Sequence, residues 1–222
     1  MLHSLLVIIC LLLAANPVRA QYHIAKDRIG DEMQVFHRHQ NPALLRALIF
    51  AMDEDDNLTT NSNSHPPLMG FLATAFVLYD SSMDDYISLS DSLSNAQQIV
   101  RIALVLSQTK DTILNWPFHS PAVNDMRWGA FFASGDTTYL SRLASELPLC
   151  ENRDSLMLFL TGATAKWSLC SNARQYFEVK HYLQGYLEHA TNALRPHLEE
   201  ILTKSPSEMR KQMMDGLGRF KK

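Results

Sequence analysis

Val123-Asn124-Asp125-Met126-Arg127-Trp128-Gly129-Ala130-Phe131-Phe132-Ala133, then Ser134-Gly135-Asp136, then Thr137-Thr138-Tyr139-Leu140-Ser141-Arg142-Leu143-Ala144-Ser145-Glu146-Leu147, is the stretch that decides the fold. Apolar residues recur at three- and four-residue spacing on both sides of a small polar turn, the signature of two amphipathic helices. The glycine stops the first helix and the aspartate caps the second, which predicts an αα-hairpin with Gly135 in a left-handed conformation. No segment alternates apolar and polar residues as half-buried strands do. The expected class is therefore all-α, built from paired antiparallel helices.

Working outward, Asn41-Pro42 is a capping side chain followed by proline at the first helical position. It predicts a helix whose stripe is Leu44, Leu45, Leu48, Ile49 and Met52 and which ends in the polar run Asp53 to Ser64. Pro66-Pro67 opens another helix, and a third is expected over Leu93 to Leu106. Asn115-Trp116-Pro117 to Pro121 reads as a turn-rich connection, the expected boundary between two helical layers at 115–121. Beyond the hairpin, helices are expected over Leu156 to Tyr176 and over Glu178 to Thr203. The remainder, 205–222, carries Arg210, Lys211, Arg219, Lys221 and Lys222 around Met209, Met213, Leu217 and Phe220, and reads as a frayed, basic amphipathic tail. The spacing of Gly129, Phe132, Gly135-Asp136 and Pro148 resembles the helix-turn-helix unit of tetratricopeptide repeats. Helix lengths vary too much for a regular array.

At the amino terminus, Leu5 to Ala15 is an almost unbroken apolar run, followed by Asn16-Pro17 and the small-x-small site Val18-Arg19-Ala20. That pattern predicts a secretory signal peptide over 1–20, cleaved before Gln21, since the run is too short to span a bilayer. The helical domain then covers 21–204, and export to the periplasm or beyond is expected. Of the 20 basic and 23 acidic residues, only Arg19 falls inside the signal. A balance so near neutral argues against nucleic acid as a partner. With Cys10 removed, Cys150 and Cys170 remain. An even count in an exported chain admits a disulfide between them, with two buried thiols as the other reading.

Catalytic signatures are missing. There is no Gly-x-Ser-x-Gly elbow and no His-Glu-x-x-His. Asp53, Asp55 and Asn57 have the spacing of a calcium loop's first ligands, but Leu58 and Ser64 stand where glycine and glutamate belong. Glu178 and His181 have the i, i+3 spacing of di-iron bundles without a second copy. His181, His189 and His197 recur every eight residues, which turns a helix by about 80° beyond two full turns and spreads them around it. No metal and no cofactor is expected. Glu146, Glu151 and Glu178 are the carboxylates a helical cell-wall hydrolase would draw on. Trp128, Phe132 and Trp167 are the aromatics, at helix junctions, that would line a groove for a ligand.

Three blocks together carry a resemblance: Pro66-Pro67-Leu68-Met69-Gly70-Phe71-Leu72, Trp128-Gly129-Ala130-Phe131-Phe132-Ala133-Ser134-Gly135-Asp136, and Ala165-Lys166-Trp167-Ser168-Leu169-Cys170-Ser171-Asn172-Ala173. In order over roughly Pro66 to His189, they resemble a family of small exported helical proteins of Gram-negative bacteria with no assigned activity. Some of its members carry a loose translation-initiation-factor label. That label does not suit this chain, which has no G-x-x-x-x-G-K-[ST] phosphate loop. The resemblance implies a helical fold and export, and no catalytic residues. Together these readings favour a binding or scaffolding protein whose partner is a protein, peptide or glycan of the envelope. The competing expectation is a peptidoglycan hydrolase.

Overall fold

Helix after helix follows from the capping signals. The computed structural model describes residues 22–79, 83–109 and 111–220, so the expected signal peptide at 1–20 lies outside the described residues. Among these there are twelve α-helices and no strand. They are α1 (Ile29–His39), α2 (Pro42–Glu54), α3 (Asp56–Thr60), α4 (His65–Leu78), α5 (Met83–Asp91) and α6 (Gln97–Ser107). After the 115–121 connection come α7 (Pro121–Ser134), α8 (Thr138–Ser145), α9 (Leu156–Gln175), α10 (Phe177–Glu188), α11 (Arg195–Thr203) and α12 (Pro206–Leu217). The chain is all-α. Among the described residues, no helix is long and apolar enough to cross a membrane.

Helix α4 is apolar nearly all round, and such a helix belongs in the interior. Leu68, Phe71, Leu72, Ala75 and Phe76 are fully or almost fully buried in it. Its main partner is α7, and the two backbones touch. A Cβ on Gly70 would lie 2.7 Å from the Met126 α-carbon, and one on Gly129 would lie 2.7 Å from the Phe71 nitrogen. Two glycines, one from each helix, therefore set the crossing. Gly129 thus faces α4 instead of the next helix in the chain, unlike the close approach expected from a tetratricopeptide-like unit. Helices α1 and α6 also pack on this pair.

The hairpin turn forms as its residues predict. Gly135 adopts φ +72° and closes α7 by donating its N–H to the Phe131 carbonyl at 2.7 Å. Asp136 Oδ1 accepts from the Thr138 N–H at 2.9 Å at the start of α8. A single apolar core runs from Ile24 to Met209, so the 115–121 connection joins parts of one core.

Helix α9 organises the other end, with α10, α11, α12 and a 3-10 turn over Leu147–Glu151 packed around it. Gly162 admits that turn: a Cβ there would lie 2.9 Å from the Cys150 α-carbon. The continuous helix expected over Glu178 to Thr203 is instead two: the first ends at Glu188 and the second restarts at Arg195 with Pro196 in its first turn, where a missing N–H costs nothing. The stretch after 205 is no frayed tail. It starts α12 with a capping box, in which Ser205 and Glu208 satisfy each other's backbone donors, and it buries Met209.

The disulfide reading of Cys150 and Cys170 is corrected: both are free thiols. Cys150 is level with Gly162 on α9, and Cys170 lies eight residues further along that helix. At 1.5 Å per residue this is about 12 Å, beyond the roughly 7 Å that a disulfide allows between α-carbons. The Cys170 thiol is buried and donates to the Lys204 carbonyl at 3.3 Å.

Candidate functional site

Helix α9, the Leu147–Glu151 turn, α11 and α12 enclose one cluster of chemically versatile groups. Cys150 ends its side chain 3.8 Å from His197 Nδ1. The same nitrogen lies 3.3 Å from Lys166 Nζ, and His197 Nε2 lies 3.6 Å from Glu151 Oε1. Lys166 also pairs with Glu200, whose other oxygen accepts from Lys204 Nζ at 2.7 Å. His197 and Glu200 share a face of α11 through i, i+3 spacing, and Lys204 follows at i+4.

Environment tunes each group. Burial pushes the His197 imidazole down and Lys166 pushes it further, against Glu151 and Glu200. Burial pushes the Cys150 thiol up, with Lys166 pulling it back and Glu151 and Glu200 adding to the rise. Glu200 is pushed up by burial, yet hydrogen bonds from Lys166 and Lys204 outweigh this and bring it to about 2.

Beside the thiol lies a cleft of about 90 Å³, lined by Phe159, Lys166, Trp167, Met209 and Met213 as well as Cys150. Small-molecule pockets are typically ~300–1,000 Å³, so this one suits a single side chain or a short acyl group. Methionines and aromatics make an apolar, adaptable wall.

The three aromatics expected to line a groove part company here. Trp167 is 37% exposed and lines the cleft. Trp128 is buried in the core, donates from Nε1 to Ser168 Oγ at 2.9 Å, and stacks on Phe132 with centroids 5.7 Å apart. Phe132 in turn meets the Tyr176 ring edge-on. Trp128 and Phe132 therefore pack the junction of α7 and α9.

The other sequence candidates have structural partners. Asp53 Oδ1 accepts from the Asn95 and Ala96 N–H groups, both at 2.7 Å, at the start of α6. Asp55 Oδ1 accepts from Asn57 and Leu58 to cap α3. Glu178 pairs with Arg38 at 2.5 Å, and His181 stacks on Phe177. Glu146 is buried with Oε1 2.9 Å from Arg127 Nη1 and Oε2 2.6 Å from His119 Nδ1. Its carboxylate is one half of a buried ion pair. Among the described residues, no three His, Cys, Asp or Glu groups gather in a metal-holding arrangement.

Sequence reasoning misses His197 and Lys166 as site residues. The signal that points to His197 is Pro196, a helix-start residue that opens a new helix and so takes His197 off the spiral shared with His181 and His189. No family model, no curated protein and no solved structure matches this chain.

Proposed function

We propose that this chain is an exported, helical binding protein of the bacterial envelope or its secretions, and that the cleft beside Trp167 seats an apolar side chain of a peptide partner. The observation that carries the reading is the cleft itself: an exposed tryptophan beside a methionine-lined hollow the size of one side chain. A glycan would call for many polar partners, whereas Phe159, Met209 and Met213 offer apolar contact. The resemblance to small exported helical proteins supports the compartment. For the hydrolase reading, a shielded, unpaired glutamate is required. Glu146 is instead paired with Arg127, and Glu178 is held below the usual carboxylate range by a backbone hydrogen bond and by Arg38, against burial.

The test is fluorescence titration of the full chain with blocked dipeptides bearing leucine, phenylalanine, alanine or aspartate. A saturable change with leucine or phenylalanine is expected, lost in Met213→Asp, which keeps the Trp167 reporter. Absence of any saturable change, or release of soluble fragments when the protein is incubated with peptidoglycan, overturns the proposal.

A further inference from the structure

His197 is 5% exposed, so both ring nitrogens meet protein groups. An ammonium only donates, so Lys166 beside Nδ1 makes that nitrogen the acceptor and places the ring proton on Nε2, on the side where Glu151 lies 3.6 Å away. Nδ1 then turns its lone pair toward the Cys150 thiol at 3.8 Å and the Lys166 ammonium at 3.3 Å. Thiol and imidazole therefore stand as nucleophile and base at the looser spacing found before a substrate binds, with the Glu151 carboxylate on the far side of the ring. Because burial keeps Cys150 as a thiol, its proton must leave as the sulfur attacks, and His197 is placed to take it.

We propose that Cys150 is a nucleophilic thiol that accepts an acyl group from an activated ester or thioester, with His197 as its general base and the Trp167 cleft receiving the acyl chain. In this step the Cys150 S–H proton passes to His197 Nδ1 while the sulfur forms a bond to the carbonyl carbon. The bond from that carbon to the leaving oxygen or sulfur breaks, and the leaving group takes the proton from His197. The Lys166 ammonium supplies positive charge for the oxygen that turns negative along the way. Thiol–disulfide exchange fits less well, since it favours an attacking thiol that ionises near ambient pH. The inference shares its cleft with the peptide-binding proposal, and the two fail separately: acylation is read by mass, and binding by tryptophan emission of Cys150→Ser.

The purified full chain is mixed with p-nitrophenyl butanoate or, in a second arm, with S-butanoyl-N-acetylcysteamine, and the product is mapped by mass spectrometry. One butanoyl group on Cys150 is expected. Cys150→Ser loses the adduct, Cys170→Ala keeps it, and His197→Gln slows its formation by about a hundredfold or more. Cys150→Ser decides the nucleophile by itself if His197→Gln does not fold, and His197→Asn then tests the base. No adduct in either arm, or butanoyl on Lys166 at the same rate in Cys150→Ser, overturns the assignment.

Discussion

Replacing Gly129 by alanine tests the α4–α7 crossing on which the rest of the fold is hung. The new Cβ would stand 2.7 Å from the Phe71 nitrogen, and the Pro67 carbonyl oxygen is also in its way. Comfortable contact needs about 3.5 Å or more, so the helices must part by roughly 1 Å. Both obstacles are backbone, and no side-chain rotation relieves them. Overpacking costs about 1–3 kcal/mol, and a clash between two backbones belongs at the upper end. Alanine returns about 1 kcal/mol of helix propensity, which leaves a net loss of about 2 kcal/mol. For a chain of this size that lowers Tm by about 4–8 °C. Gly185→Ala is the matched control, because nothing lies within 4 Å of a Cβ there. It keeps the propensity gain, and its Tm should rise by about 2–4 °C. The assay is thermal unfolding followed by circular dichroism at 222 nm, a wavelength set by helix absorption. A Gly129→Ala protein that melts with or above the parent would refute the crossing.

Gly135→Val places a β-branched residue at φ +72° and drives its Cβ against the His37 ring, so the same melt should fall by several degrees. An unchanged midpoint would remove the left-handed turn. Arg127→Met strands the buried Glu146 carboxylate and should cost about 3–5 kcal/mol in urea titration, somewhat less where His119 compensates. Arg127→Met combined with Glu146→Leu should recover most of that loss, and a single variant as stable as the parent would contradict the pair. Stability should also fall with acidity. Burial holds His37 and His197 below their ordinary 6.5, so the folded state prefers them neutral; their contribution is full above 6.5 and is lost as pH falls below it toward the lowered folded values. Glu200, brought to about 2 from 4.5, adds a second loss below pH 4.5. Urea midpoints measured from pH 8 to 3 should decline in that order, and a profile flat down to pH 5 would contradict the lowered values of both histidines.

Local signals are legible in the sequence, and long-range ones are not. Asn41 caps α2 by accepting from the Ala43 N–H at 2.8 Å, and Ser120 caps α7 the same way, because a cap and its helix are neighbours in the chain. Gly135 is readable for the same reason. Helix α1 does not stand out in the sequence although Ile29, Met33 and Phe36 form an i, i+4, i+7 stripe, since the surrounding residues are polar. Asp53 caps α6 from 41 residues away, a distance no local pattern spans. The pairing of Arg127 with Glu146 likewise exists only once α7 and α8 have folded back. The candidate site mixes both kinds. Trp167 stands out as an aromatic, but its partners Cys150 and His197 come from separate elements that α9 brings together.

The acylation proposed for the Trp167 cleft requires that Cys150 open to it while Cys170 stays in the core, and differential alkylation without reductant reads this directly. In the chain without residues 1–20, and hence without Cys10, one iodoacetamide adduct is expected on Cys150 in the native protein, and a second, on Cys170, only after denaturation. Cys170 reacting first, or no alkylation of the unreduced denatured chain, would contradict it.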